Sequence, residues 1–271
     1  MTDRTGEFAI KRCALGVMTK VPRAGNVKTR LTPPLTPIES AELSICFLRD
    51  TAEAINKISS RTAGSGIGVF SPAGEEAWYR SILPDEFELV LQRGANLGDR
   101  LTNAIKDILA LGFESVCLVG SDAPTIPLHV YEQAVRWLEQ AGDRIVLGPS
   151  DDGGYYLIGM KKLSDAIFQR IAWSTEHVWS QTLERAGEIG INIEILSRWY
   201  DVDDSAALKR LCRDLFECDS NTDGAYEAPH TRLFLEELLQ RHGRARIWPK
   251  DEVRLPGTER CPAAAMFTFG T

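Results

Sequence analysis

Four stretches of this 271-residue chain carry residue types that could act together on a charged ligand. In VCLVGSDAPTIP, residues 116–127, Ser121 and Asp122 follow a short apolar run, Val116 to Val119, that Gly120 breaks. A continuous apolar run rich in β-branched residues is how a strand buried on both faces reads. Asp122 would then stand at the carboxyl edge of a sheet, where open α/β folds bind ligands. A carboxylate there suits Mg²⁺ or Mn²⁺ held against a phosphate; its other reading is a cap for the helix after Pro127. The second stretch, residues 19–37, holds Lys20, Arg23, Lys28 and Arg30 with no acid among them, and Gly25 permits close backbone approach. Such a loop can grip an anion, with Arg30 able to take two oxygens at once. It can also be a solvated, proline-rich turn. It is not a Walker loop, because no glycine directly precedes Lys28.

The third stretch is SDDGGYYLIGM, residues 150–160, where Asp151 and Asp152 precede Gly153, Gly154 and Tyr155. A double glycine lets a ligand lie against the backbone. It equally marks a hairpin turn. The fourth, Tyr200 to Asp204, reads YDVDD. Alternate residues of an extended segment face the same way, so Asp201 and Asp203 can serve one cation, or one cation plus a positioning hydrogen bond. A solvated helix cap is the alternative. Trp173, Ser174 and Thr175 precede a helical pattern, and Ser174 or Thr175 suits its N-cap.

The elements that must position these residues alternate. Strands are expected at 14–18, 67–70, 87–92, 116–119, 144–148, 155–158 and 193–196. Helices are expected at 37–59, 75–83, from within 94–101 to about 111, 128–140, to about 187, 205–216 and 230–241. In the first helix Ala41, Ile45, Leu48, Ala52 and Ile55 recur at spacings of three and four. GSGIG, residues 64–68, precedes a strand rather than following one, so it reads as a turn, not a nucleotide fingerprint. Asn96 or Asp99 suits the cap of the helix that GANLGDRL opens. Residues 1–12 read as a lead-in. The pattern predicts a doubly wound, mostly parallel α/β domain over residues 1–218, with 219–271 as an appendage of one helix and an irregular tail.

The net charge is −7 with a pI near 5.3, which argues against nucleic-acid binding. Cys13, Cys46, Cys117, Cys212, Cys218 and Cys261 are scattered without a C-x-x-C pair. That fits reduced thiols in a cytoplasmic protein. No apolar run is long enough to suggest a membrane span.

PRAGNVKTRL after the first strand, GSDAPTIP after a central one, GPSDDGGYYLIG, then AWST and DVD together resemble one bacterial group. It is the glycosyltransferase-like family called radical-SAM/selenodomain-associated transferase, carried as a domain of unknown function. More distantly the chain is similar to 2-phospholactate guanylyltransferases. The resemblance spans residues 13–215 and implies a nucleotide-diphospho-sugar transferase (GT-A) fold. It implies that Lys20, Gly25, Lys28 and Arg30 bind the nucleotide's phosphates. Asp122 and Asp203 would hold the metal, and Asp152, Gly153, Gly154 and Tyr155 would line the acceptor or sugar pocket. Trp173, Ser174 and Thr175 match a motif without an assigned role. One departure is that the family usually continues DVD with Thr-Pro and a later Asp-Leu, whereas this chain has Asp204-Ser205-Ala206-Ala207-Leu208.

Residues and resemblance converge on a Mg²⁺- or Mn²⁺-dependent transferase with a nucleotide-activated donor and a small-molecule acceptor. Lys28 and Arg30 would stabilise phosphate charge, and Asp152 is the candidate general base. A nucleotide-sugar donor makes it a glycosyltransferase. A nucleoside triphosphate with a phosphorylated acceptor makes it a nucleotidyltransferase. A non-catalytic nucleotide-binding protein on the same fold is the reading of another class.

Overall fold

The computed structural model describes residues 12–62, 64–217 and 224–247. The expected lead-in, the 218/219 boundary and the last residues of the appendage lie outside these, as do Cys218 and Cys261.

In chain order the elements are β1 (Cys13–Lys20), α1 (Pro37–Ser59), β2 (Gly64–Ser71), α2 (Glu76–Arg80), β3 (Glu88–Leu91), α3 (Leu97–Ala110), β4 (Ser115–Gly120) and α4 (Leu128–Glu139). Then follow β5 (Arg144–Pro149), β6 (Tyr155–Met160), α5 (Val178–Ile189), β7 (Asn192–Ile195), α6 (Ser205–Phe216), α7 (Pro229–His242) and α8 (Arg244–Ile247). Short 3-10 turns occur at Thr29–Leu31 and Asp165–Phe168.

One seven-stranded sheet has the order β3-β2-β1-β4-β6-β5-β7. β6 runs antiparallel to both of its neighbours, and the other pairings are parallel. The expected doubly wound, mostly parallel α/β architecture is therefore observed. Alternate strand residues feed two cores, as the period of two requires. Cys13, Leu15, Val17, Cys117 and Val119 face one layer with Phe47 of α1, Tyr131 of α4 and Leu211 of α6. Ala14, Val116 and Leu118 face the other, with Ile105 of α3 and Ala186 of α5. The sheet order reverses between β1 and β4, which puts a switch-point crevice above their carboxyl ends.

Local chemistry explains the boundaries. α1 starts with a capping box: Glu39 N–H donates to Thr36 Oγ1 at 3.2 Å, and Thr36 N–H donates to Glu39 Oε2 at 2.7 Å. Of the two candidate caps for α3, Asn96 is the one used; its Oδ1 accepts from Asp99 N–H at 2.9 Å. Two expectations are corrected. GSGIG lies inside β2 rather than in a turn, because Phe87 fills the space above Gly66, and a Cβ there would meet the ring at 2.1 Å. Neither Ser174 nor Thr175 caps α5. The helix starts at Val178, and Thr175 Oγ1 instead donates to Ala172 O at 2.7 Å.

The C-terminal helix α7 packs on the main core. Leu235 and Leu238 of α7 join the α1 layer together with Tyr226. Asp50, fully buried on α1, caps α7 from across the interface. Its two oxygens accept from His230 N–H at 2.9 Å and Thr231 N–H at 2.8 Å.

Candidate functional site at the switch point

β1 ends at Lys20, and the chain crosses the crevice as the basic loop before entering α1. β4 ends at Gly120 and delivers Ser121 and Asp122 to the same edge. α4 has Pro127 at its N-cap with no side-chain hydrogen bond, so Asp122 is not a helix cap. Val202 N–H donates to Asp122 O at 2.9 Å, which pins the 200–204 segment alongside and brings Asp203 to Asp122.

Lys28 sits between them. Its Nζ lies 2.9 Å from Asp122 Oδ1 and 2.6 Å from Asp203 Oδ1. The lysine side chain is only 6% exposed, while the carboxylates are 43% and 48% exposed. Burial alone would lower the ammonium's pKa, but the two carboxylates more than offset that and hold it above the ordinary lysine value. Lys28 has a left-handed backbone, φ 47°. A non-glycine residue there is uncommon and held by its surroundings. The ion pair and the Phe47 ring, 5.9 Å from Nζ, are those surroundings.

A cleft of about 510 Å³ opens over this triad, lined by Lys20, Thr29, Arg30, Gln92 and Ser121 among others. Gln92 Nε2 donates to Thr19 O and Val69 O, both at 2.8 Å, and so ties down the ends of β1 and β2. Arg23 pairs with Glu75 on α2's leading edge. Gly25 has φ 79° with open space around its Cβ position, so glycine there serves backbone conformation rather than close approach.

A second pocket, about 450 Å³, adjoins the first through Arg30, Leu97 and Asp203, which line both. Asp152, Gly154, Tyr155, Trp173, Ser174 and Thr175 line it as well. Gly153 has φ 87°, and a Cβ there would stand 2.5 Å from Glu176 O. The 150–154 turn and the 173–176 strap therefore pack backbone to backbone. Trp179 N–H donates to Gly153 O at 2.8 Å and closes that contact. Asp152 Oδ1 accepts from Gly154 N–H at 2.9 Å. The turn is braced from behind. Arg210 Nη1 donates to Asp151 Oδ2 at 2.6 Å while its guanidinium stacks 3.8 Å from the Tyr200 ring centre.

Sequence reasoning gave Asp201 only a share in the DVD pair. It is half-buried, and burial raises its pKa to about 7. A hydrogen bond from Ser150 opposes that rise, and the charges of Asp122, Asp152 and Asp203 add to it. Glu176 and Arg210 carried no sequence signal, since each lies on an otherwise ordinary helix approach or helix.

Asp122 and Asp203 are the carboxylates a divalent cation would use, and it would have to displace the group they now hold. A positive group, the Lys28 ammonium, already stands where Asp122 Oδ1 and Asp203 Oδ1 converge. Mg²⁺ commonly takes one or two carboxylates plus substrate oxygens and water. Among the described residues no group of three or more His, Cys, Asp or Glu is arranged as a metal cage.

Residues 55–175 match the family model described as "Uncharacterized protein conserved in bacteria (DUF2064)". The resemblance read from the motifs is borne out. A candidate nucleotide-diphospho-sugar transferase from Desulfovibrio desulfuricans G20 superposes with a TM-score of 0.72 at 27% identity, over 86% of this chain and 98% of that one. The fold is thus the nucleotide-diphospho-sugar transferase type. A cytidylyltransferase from Leptospira borgpetersenii gives 0.47 at 9% identity, over 88% and 98% of the two chains. CMP:2-keto-3-deoxy-manno-octonic acid synthetase in complex with CTP gives 0.45 at 11%, over 74% and 96%. These last two add nothing to the assignment. No curated protein matches. Among the described residues no helix is long and apolar enough to cross a membrane.

Proposed function

We propose that this protein is a transferase that uses a nucleotide-activated donor and a divalent cation, with a nucleotide-sugar as donor. The observation that carries the reading is the meeting of Asp122 and Asp203 on one positive charge at the floor of a switch-point cleft. The likeness to a candidate nucleotide-diphospho-sugar transferase supports it.

Asp122 and Asp203 would hold Mg²⁺ or Mn²⁺, which supplies charge neutralisation on the donor's diphosphate. Lys20, Lys28 and Arg30, with Gly25 shaping their loop, bind the phosphates. Arg30, at the seam of the two compartments, stabilises charge on the departing diphosphate. In the second pocket Gly154 and Tyr155, with Trp173, Ser174 and Thr175, hold the acceptor, while Gly153, which does not line it, shapes the turn against Glu176. The acceptor oxygen bonds to the sugar's anomeric carbon. The bond from that carbon to the diphosphate oxygen breaks, and its electron pair leaves with the nucleoside diphosphate. Asp152 takes the acceptor's proton.

The basic loop also favours a second reading, nucleotidyl transfer from a nucleoside triphosphate, because a triphosphate needs more cationic contacts. A thermal-shift screen of nucleoside triphosphates and nucleotide-sugars, with and without Mg²⁺ or Mn²⁺, tests both. A ligand that binds the native state raises apparent stability by mass action. Metal-dependent stabilisation by a nucleotide-sugar is expected. Stabilisation by a triphosphate alone would select the second reading, and none by any nucleotide would end both.

A further inference from the structure

The two compartments differ in sign. The donor cleft has Lys20, Lys28 and Arg30 against Asp122 and Asp203. The second pocket has Asp152, Glu176, Asp201 and Asp203 against Arg30 alone. Lys28 already pairs with Asp203, so that acid is compensated. Arg30 is shared with the donor cleft. Asp152 and Glu176 of the second pocket have no cation partner among the described residues.

We infer that the acceptor, on the reading proposed above, meets Asp152 and Glu176 through hydroxyl or amine donors and carries no phosphate or carboxylate there. Ionised carboxylates only accept hydrogen bonds. Hydroxyls and amines donate to them, whereas phosphate and carboxylate oxygens have nothing to offer and bring like charge at close range. The remaining wall agrees, because it includes the half-buried Trp173. An aromatic surface beside a few polar groups suits the C–H face of a sugar or polyol. Trp173 is held in place by Gly98, where a Cβ would stand 2.8 Å from the indole. The wall thereby selects glycosyl transfer to a neutral or cationic acceptor over nucleotidyl transfer to a phosphate.

The test uses the full-length protein and matched pairs: glucose against glucose 6-phosphate, and glycerol against glycerol 3-phosphate. Dissociation constants come from ligand-observed NMR at one fixed salt concentration. In the wild type the unphosphorylated member should bind at least about tenfold more tightly. Glu176 is exposed, so Glu176→Lys should fold normally and bring the phosphorylated member up by about tenfold, with Glu176→Gln moving it less in the same direction. Tighter binding of the phosphorylated members by the wild type would overturn the inference. So would binding of neither member of any pair, or a ratio unmoved by Glu176→Lys. The nucleotide thermal-shift screen separates the two failures. Nucleotide stabilisation with a preference for phosphorylated acceptors sinks this inference and leaves the transferase reading standing. Preference for neutral acceptors without nucleotide stabilisation does the reverse.

Discussion

At the scale of single residues, the centre of the site is a lysine held by two acids that its sequence position does not announce. Lys28 lies 175 residues from Asp203. The basic loop was legible as a run of like charges, and Asp122 as an acid behind a buried strand. Their pairing was not, because it depends on how the loop closes over the sheet edge. The same holds for Asp201, whose partner Ser150 comes from a different turn. If Asp122 and Asp203 share a divalent cation, Asp122→Asn should weaken the Mg²⁺-dependent part of nucleotide binding by at least about tenfold. The fold should survive, since Asp122 is nearly half exposed and caps nothing. Calorimetric titration of nucleotide with and without Mg²⁺ reads both. Lys28→Gln should act in the opposite sense on metal alone. With the resident ammonium gone, two uncompensated carboxylates remain, so Mn²⁺ titrated without nucleotide should bind more tightly than to wild type. Weaker Mn²⁺ binding in that variant would show that the ammonium does not compete for the ion's position.

At the scale of elements, the strands and most helices were readable because their apolar periods are clean. α1 and α6 start and stop where their patterns say. The turns were less readable. GSGIG has the composition of a loop, yet its glycines make room for Phe87 and neighbouring side chains in a strand. Asp50 is the other case. On a helical wheel it is one more polar residue of α1, but it is buried and caps α7. Asp50→Ala should leave two buried N–H groups unpaired and cost about 2 kcal/mol. For a domain of this size that is a fall of roughly 4–8 °C in Tm, measurable by calorimetry. A change under a degree would mean that water replaces the cap.

At the scale of the whole molecule, we propose that the folding unit extends through α8 rather than stopping near residue 218. Tyr226, Leu235, Leu238 and Ile247 all sit in the α1 layer of the core. Arg246 forks onto Glu39 at the start of α1. A chain ending at Glu217 should therefore expose an apolar stripe along α1 and self-associate, visible by light scattering, and should lose cooperative unfolding. A monodisperse, cooperatively unfolding truncate would restore the shorter boundary. The clasp between Asp50 and the first turn of α7 also bears on how the protein is made. Its partners lie 180 residues apart. A ribosome adding about 5–20 residues per second needs roughly 10–40 s to deliver the second after the first. For that interval the nascent chain carries a long helix with one flank bare and a buried-to-be carboxylate still in water. Early in synthesis that flank stays open to other apolar partners, and α7 takes it out of their reach once it emerges.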